Sequence, residues 1–402
     1  MVRFALLTLL TLLAPMRALA FETIAQAAWV YDQSTGTVLL DKNGDVPLPP
    51  ASMSKLMTLY LAFEAVADGR LDINAELPVS EHAVSFDGSS MFLDTTDRVR
   101  VEDLLRGVIV LSGNDASVVL AEALSPDGTE AGFARIMTER ARSLGMTNSI
   151  FMNASGWPAE GQVMSVHDLG ILADHLIRDF PTFYPIFAEQ EFLFDGRVPS
   201  NTQNRNPILG LNIGADGLKT GHTQEAGYGL VGSAKQGDRR IIFVITGLAS
   251  AGDRRDEGER IVNWAFRQFA ERDLGTAGTR LAEAEVWMGA APSVGLVLQD
   301  DLRLLVPSTG GDAGLLAEVI FDGPVAAPIE AGARIAILRI TRAELPPVEV
   351  PLVAEATVPR GGFAVRLRTA IAVLWAKFGP AAEPAPAPDA SATLATPAPG
   401  GA

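Results

Sequence analysis

The stretch Ser52-Met-Ser-Lys55 begins a run in which apolar residues recur at helical spacing as far as Ala67. The spacing predicts a helix that ends before Gly69. Residues three apart at a helix start share one face, so the Lys55 amine lies within reach of the Ser52 hydroxyl. The pattern S-x-x-K is weak evidence alone, because it should occur about once by chance in a chain of this length. The alternative interpretation is a capping serine beside a surface lysine.

A second string, Ser112-Gly-Asn114, lies between two stretches that we predict to be helical, Val101–Leu111 and Asp115–Leu124. A serine in this position commonly caps the following helix. The catalytic interpretation gives Ser112 a part in proton transfer to a leaving amine. It gives Asn114 a hydrogen bond to a substrate amide.

The third string, Lys219-Thr-Gly221, lies within Asp216–Thr223 and predicts a strand edge. Lys219 supplies charge, Thr220 offers a hydroxyl to a terminal carboxylate, and Gly221 lets a substrate backbone approach closely. The alternative is an ordinary edge strand with a solvated lysine. In this order the three strings combine a hydroxyl nucleophile, an amine base, a polar relay and a carboxylate clamp. That set is typical of acyl transfer through a serine ester.

Lysine is rare in this chain, because arginine provides most of its 32 basic residues. Arginine cannot lose its proton in a protein, whereas a desolvated lysine can become a neutral base. Two of the five lysines fall in the strings above. The alternative is a codon bias toward arginine with two lysines placed by chance. The five are Lys42, Lys55, Lys219, Lys235 and Lys377.

The composition excludes several classes of function. The net charge of −16 argues against nucleic acid as a partner. The absence of cysteine excludes disulfides and thiol catalysis. The four histidines show no metal-ligand spacing, so we expect neither a metal nor another cofactor.

Composition and periodicity divide the chain into five parts. Residues 1–20 have the basic start, apolar run and small-residue end of an export signal, the alternative being an uncleaved membrane anchor. Residues 21–270 mix helices and strands, and 275–357 show the short alternating runs of a small β-sandwich. Residues 358–380 predict an amphipathic helix, and the Ala/Pro-rich residues 381–402 a disordered tail.

The predicted terminal helix has an apolar stripe with basic residues near its edges. Such a stripe suits a helix lying in a membrane interface. The alternative is a helix docked on the β-sandwich. The stripe consists of Phe363, Leu367, Ile371, Leu374, Trp375 and Phe378.

Longer strings around the three motifs resemble a known family. They are similar to the low-molecular-mass penicillin-binding proteins that act as serine-type D-alanyl-D-alanine carboxypeptidases, of the penicillin-binding protein 5 and 6 type. The similarity covers nearly all of the chain after the export signal. It is carried by Pro50-Ala-Ser-Met-Ser-Lys55, Gly88-Ser-Ser-Met-Phe92, Leu111-Ser-Gly-Asn-Asp115, Asp216–Thr223 with Ala226-Gly-Tyr228, and Val358-Pro-Arg-Gly-Gly-Phe363.

The resemblance implies an α+β catalytic domain in which helices flank an antiparallel sheet, followed by an all-β sandwich and an amphipathic anchor. Ser52 would be acylated by the penultimate D-alanine carbonyl, and the backbone amides of Ser52 and His222 would form the oxyanion hole. Arg254 would lie near the substrate carboxylate, although Arg255 is an equally good match. The chain departs from some members at Asn153-Ala-Ser-Gly156, where histidine often occupies the third position.

The resemblance also implies partners and a location. The substrate would be a peptidoglycan stem peptide ending in D-Ala-D-Ala, and β-lactam antibiotics would be covalent inhibitors. The protein would work at the periplasmic face of the cytoplasmic membrane, attached to the membrane surface by its terminal helix.

Three other functions compete with carboxypeptidase activity. Endopeptidase or transpeptidase action on the same wall peptides would use the same residues. A β-lactamase would need a glutamate in a Glu-x-x-Leu-Asn context, which the glutamates between the second and third strings lack. A non-catalytic envelope scaffold should have lost at least one motif residue, and none is lost. The glutamates concerned are Glu122, Glu130, Glu139, Glu160, Glu189 and Glu191.

Overall fold

The computed structural model describes residues 21–308, 315–343, 345–363, Leu367 and Ile371. The predicted export signal, residues 1–20, lies outside the described residues. So do the predicted tail and most of the terminal helix. The described chain divides into two compact units, and the first comprises the described residues within 21–274, 302–317 and 340–348. The second comprises those within 275–301, 318–339 and from 349 onward.

The first unit is built on a five-stranded sheet in the order β2-β1-β7-β6-β5. Each neighbouring pair in this order is antiparallel. A separate ribbon pairs β3 with β4. The strands are β1 Ala27–Asp32, β2 Thr37–Lys42, β3 Glu76–Pro78, β4 Arg98–Arg100, β5 Ala215–Thr223, β6 Gly227–Gln236 and β7 Arg239–Leu248.

Helices cover both faces of this sheet, so its strands alternate between two apolar cores. On β7, Ile242 and Val244 belong to the larger core, while Ile241 and Phe243 belong to the smaller one beneath α7. The helices are α1 Lys55–Ala67, α2 Glu81–Val84, α3 Val101–Arg106, α4 Asn114–Leu124, α5 Glu130–Ser143, α6 Val166–Asp179 and α7 Ala251–Gln268.

Helix α1 is the centre of the larger core, since it is buried on nearly every side. A helix that is apolar all round must lie inside a protein. A 3₁₀ turn, Ala51–Ser54, leads into it, so Ser52 lies in that turn and Lys55 is the first α-helical residue. The predicted helix over 52–67 is therefore present, with a tighter first turn.

The second helical stretch also changes form where it reaches the site. Helix α3 continues as a π-helical turn, Gly107–Leu111, and ends at Ser112 in the left-handed conformation with φ of 60°. Gly107 permits this approach, because a Cβ there would lie 2.0 Å from the Met91 sulfur. Helix α4 then begins at Asn114, one residue earlier than predicted.

The second unit is all-β, as predicted. Its six-stranded sheet has the order β12-β14-β15-β10-β9-β13, whereas the two-stranded sheet of β8 and β11 belongs to the first unit. The strands of these two sheets are β8 Phe269–Gly275, β9 Arg280–Trp287, β10 Ser293–Leu298, β11 Leu302–Pro307, β12 Leu315–Ile320, β13 Val325–Ala326, β14 Arg334–Arg342 and β15 Leu345–Ala354.

The apolar residues Ile261, Trp264, Ala265 and Phe269 recur at helical spacing and predict a helix over Asp256–Phe269. That prediction was wrong at its start. Helix α7 begins five residues earlier, where the Ser250 hydroxyl accepts a hydrogen bond from the Asp253 amide and caps the first turn. Its first turn, Ala251-Gly-Asp-Arg254, has no large apolar side chain, so no apolar periodicity marked it. Phe269 belongs to the next strand.

Candidate active site

The three strings meet at one cavity of about 440 Å³. It opens where the start of α1, the Ser112 turn and strand β5 come together. None of its nine described lining residues is acidic. They are Ser52, Ser89, Ser112, Arg205, Thr220, Gly221, His222, Tyr228 and Arg254.

Lys55 is completely buried behind Ser52. Its Nζ lies 2.9 Å from Ser52 Oγ, 2.7 Å from Asn114 Oδ1 and 2.5 Å from the Ser155 carbonyl oxygen. The three neighbours come from α1's leading turn, from α4 and from the loop after α5. The amine is therefore held from three directions with the hydroxyl as one of its partners.

The Asn114 amide has its orientation fixed at both ends. Its Nδ2 donates to the Asp87 carbonyl at 2.7 Å, which leaves Oδ1 to face Lys55. Its backbone N–H donates to the Ser89 carbonyl at 2.7 Å. The loop before Met91 thus positions the asparagine as a hydrogen-bond acceptor for the amine.

The Ser155 carbonyl is presented by a tight loop. Asn153 Oδ1 accepts from the Ser155 and Gly156 amides at 3.2 and 2.8 Å. Gly156 has a φ of +76°, and a Cβ there would lie 1.9 Å from the Ala51 carbonyl oxygen. Only glycine fits at this position. The departure from the family at Ser155 leaves the carbonyl contact intact, since it is made by backbone.

Burial lowers the pKa of Lys55 to about 7. The Asp115 carboxylate opposes this by favouring the ammonium, Arg205 reinforces it, and the Glu130 carboxylate opposes it again. A lysine near this value is partly neutral at physiological pH. It can accept a proton there, which an ordinary lysine cannot.

Lys219 is almost as deeply buried, on strand β5. Its Nζ donates to Ser112 Oγ at 2.8 Å. Burial lowers its pKa well below the ordinary value, and the neighbouring cations Lys55, Arg205 and Arg254 lower it further. This end of the cavity is therefore suited to an anion.

Arg254, at the start of α7, forms one wall of the cavity as part of a stack. Its guanidinium carbon lies 5.5 Å from the centroid of the Tyr228 ring. The His222 ring stacks on the same tyrosine, with 3.8 Å between the two ring centroids. Its Nε is buried without a hydrogen-bond partner among the described residues. Arg255 instead is half exposed and lies 3.8 Å from Asp256. Between the two arginines, the structure brings Arg254 to the cavity.

The structure brings together all nine residues predicted for the site. Six line the cavity, and Lys55, Asn114 and Lys219 lie behind that lining. Sequence reasoning missed Arg205, which lies in no recognisable motif. It also missed the role of Asp115, which is buried and accepts from the Met91 and Leu93 amides. Its place beside Asn114 in the second string was the available signal.

Within the described ranges, no cluster of histidine and carboxylate residues could hold a metal ion. The same ranges contain no helix long and apolar enough to span a bilayer.

Two family descriptions match the chain. Residues 14–250 match peptidase S11, described as D-alanyl-D-alanine carboxypeptidase. Residues 269–360 match the C-terminal domain of penicillin-binding protein 5.

Individual proteins agree with these matches. D-alanyl-D-alanine carboxypeptidase DacA of Escherichia coli (strain K12) is 32% identical over 346 residues, 84% of this chain and 85% of the relative. The crystal structure of penicillin-binding protein 5 from Haemophilus influenzae matches with a TM-score of 0.71 and 32% identity, covering 84% of this chain and 98% of that one. Penicillin-binding protein D2 from Listeria monocytogenes, in an ampicillin-bound form, matches with a TM-score of 0.55 and 33% identity, covering 60% and 97%.

Proposed function

Because the chain belongs to the peptidase S11 family of D-alanyl-D-alanine carboxypeptidases, we propose that Ser52 is the nucleophile with which it removes the terminal D-alanine of peptidoglycan stem peptides. The chain is a serine-type D-alanyl-D-alanine carboxypeptidase by family.

The hydrogen-bond pattern around Lys55 carries this assignment. A neutral amine has two N–H groups and one lone pair. The Asn114 Oδ1 and Ser155 carbonyl oxygens can only accept, so they take both N–H groups. The lone pair is then left for the one neighbour with a proton to give, the Ser52 hydroxyl at 2.9 Å. Lys55 is thereby the general base.

The reaction follows in two stages. Ser52 Oγ bonds to the penultimate D-alanine carbonyl carbon while Lys55 takes its proton. The peptide C–N bond then breaks, and the leaving amine receives a proton through Ser112. Water next attacks the Ser52 ester, which releases the shortened peptide and returns the proton to the serine. The amides of Ser52 and His222 bind the oxyanion formed in each stage.

The substrate carboxylate binds at the cationic end of the cavity. Lys219 and Arg254 supply charge, Thr220 supplies a hydroxyl, and Gly221 leaves room for the peptide backbone. A Cβ at Gly221 would come within 3.0 Å of the Pro50 carbonyl oxygen, so the backbone here is already closely packed. The cations around Lys219 favour a ligand that ends in a carboxylate.

The competing activities differ in support. Endopeptidase and transpeptidase action would use the same residues and stays an alternative. For a β-lactamase, the candidate is the buried Glu130, whose charge acts on Lys55, but its oxygens contact the Ala154 amide and His82. It is not available to activate water. The ampicillin-bound relative supports β-lactams as covalent inhibitors of this chain.

We also propose that the protein is exported and held at the periplasmic face of the cytoplasmic membrane. The apolar run within residues 1–20 supports export. Phe363, Leu367 and Ile371 support a surface anchor, because they recur four residues apart and are 82%, 50% and 56% exposed.

The decisive experiment is D-alanine release from a D-Ala-D-Ala-ended peptide by the mature protein, with and without penicillin. We expect steady release that penicillin abolishes, and mass spectrometry should place the penicillin adduct on Ser52. Ser52→Ala should lose both turnover and adduct. Release that persists in a pure Ser52→Ala sample would remove Ser52 from its role, and an adduct without turnover by the wild type would favour the scaffold.

A further inference from the structure

Glu130, the first residue of α5, is a buried carboxylate that the proposed mechanism does not use. Only 8% of it is exposed. Its Oε1 accepts a hydrogen bond from the Ala154 amide at 2.9 Å, and its Oε2 lies 2.9 Å from His82 Nε2. The histidine is half exposed, so the carboxylate connects the buried loop to the surface.

The Ala154 peptide is fixed between α5 and α1. Its N–H donates to Glu130, and its carbonyl accepts from Thr58 Oγ1 at 2.7 Å. The next carbonyl along the chain, that of Ser155, accepts from Lys55. Thr58 and Lys55 are three residues apart on one face of α1. Whatever holds Ala154 therefore also sets the position of the acceptor that faces the amine.

The negative charge of Glu130 also acts on the Lys55 amine. The charged groups around the amine are Asp115 from α4, Glu130 from α5, Lys219 from β5, and Arg205. The two carboxylates favour the ammonium, and the two cations disfavour it. Asp115 accepts four hydrogen bonds that hold its own surroundings, so its removal would disturb the fold. They come from Ser90 Oγ and from the Met91, Leu93 and Ala116 amides.

We propose that Glu130 is a positioning residue for acyl transfer, which holds the Ser155 carbonyl against the Lys55 amine through the Ala154 peptide. Its negative charge has a tuning role as well, because it affects how tightly that amine holds its proton. The inference rests on the proposed roles of Ser52 and Lys55. Removing the charge while keeping the acceptor should make the amine more acidic. The neutral, active base would then persist to lower pH.

The test is the pH dependence of Ser52 acylation by a fluorescent penicillin in three variants. Glu130→Gln keeps an oxygen for the Ala154 amide and loses the charge, so the acid limb should move to lower pH by roughly 0.5 to 1 unit, with the plateau rate largely kept. Glu130→Asp keeps the charge but shortens the reach, so the plateau should fall while the limb stays. Glu139→Gln, an exposed change on the same helix, should alter neither.

The outcomes separate this inference from the proposed function. A Glu130→Gln protein that melts normally and has the wild-type limb, or a limb at higher pH, would overturn the tuning role. If that variant does not fold, an unchanged plateau in Glu130→Asp would overturn the positioning role. Mapping the adduct keeps the two levels apart: labelling of another residue overturns the nucleophile itself, whereas Ser52 labelling with an unmoved limb overturns only the role of Glu130.

Discussion

The two buried lysines of the site, Lys55 and Lys219, have neighbouring charges of opposite sign. Both lysines are buried, and burial lowers the pKa of each. Around Lys55, two carboxylates offset part of that effect and leave the pKa at about 7. Around Lys219, the neighbouring charges are cations, which lower its pKa further. Lys55 can therefore gain and lose a proton near neutral pH. Around Lys219 no carboxylate among the described residues balances the cations, so a substrate carboxylate could provide the missing negative charge.

The largest effect should come from Lys55→Arg, which keeps the charge but cannot act as a base. Acylation by penicillin should fall about 10³- to 10⁴-fold, the upper range for loss of a general base. Stopped-flow or gel-based acylation rates provide the measurement. Lys235→Arg, an exposed change in the same sheet, is the matched control and should behave as wild type. A near-normal acylation rate in the Lys55→Arg variant would mean that Lys55 is not the general base, and the two lysines would no longer differ in role.

Lys219→Gln should cost less, about 10- to 100-fold in kcat/KM, because it removes a charged hydrogen bond to the substrate carboxylate. The loss should disappear with a substrate whose terminal carboxylate is an amide, since wild type and variant then lack the same interaction. Peptide turnover with both substrates checks this. An equal loss on both would assign Lys219 to the chemistry rather than to carboxylate binding.

The wild-type pH profile should report Lys55 directly. Because the ammonium is inactive and the pKa is lowered to about 7, the acylation rate should rise with pH up to that value and then level. Below it, the rate should fall about tenfold for each pH unit. Penicillin acylation between pH 5 and about 9 measures the limb. A limb near the ordinary lysine value would mean that burial does not act on Lys55 as described.

Gly156→Ala should disturb the Lys55 region alone. The added Cβ would collide with the Ala51 carbonyl, so we expect a loss of about 3 kcal/mol in unfolding free energy and reduced acylation. Gly69→Ala is the matched control, since its φ is also positive, at +80°, but open space surrounds it. It should cost only about 1 kcal/mol. Thermal melts that show equal losses would contradict the packing argument.

The smallest effect on chemistry should follow deletion of residues 363–402, which keeps the bridge of Arg360 to Gly289. Peptide turnover should be unchanged, while sedimentation with anionic lipid vesicles should be lost. Replacing Leu367 and Ile371 with glutamine in the full chain should weaken sedimentation similarly. If the truncated protein still sediments with vesicles, the anchor lies elsewhere.

The sequence predicted the parts of the site that depend on short spacing. The Ser52 and Lys55 pair follows from helix periodicity, and strand β5 carries its lysine where the motif indicated. Arg205 and Glu130 could not be found this way, because they reach the site through tertiary packing. Glu130 was considered only as a water-activating residue, and its true contact, the Ala154 amide, is 24 residues away in the chain.

For the fold too, the sequence predicted the features that depend on local patterns and missed those that depend on tertiary packing. Alternating and helical runs predicted the two kinds of unit, and the fold class is confirmed by the family matches. Helix α7 was placed late because its polar first turn shows no apolar period, although Ser250 was a usable capping signal. The π-helical turn before Ser112 has no sequence signature, since it depends on how Gly107 packs against Met91.

The lining without acidic groups also bears on what happens after the peptide bond breaks. The departing amino acid carries its own carboxylate, so the cations that we propose bind the substrate should also slow the exit of the first product. Hydrolysis of the ester needs that space for water. The retained D-alanine and the water that hydrolyses the ester therefore compete for the same space. Added D-alanine should delay recovery of the free enzyme.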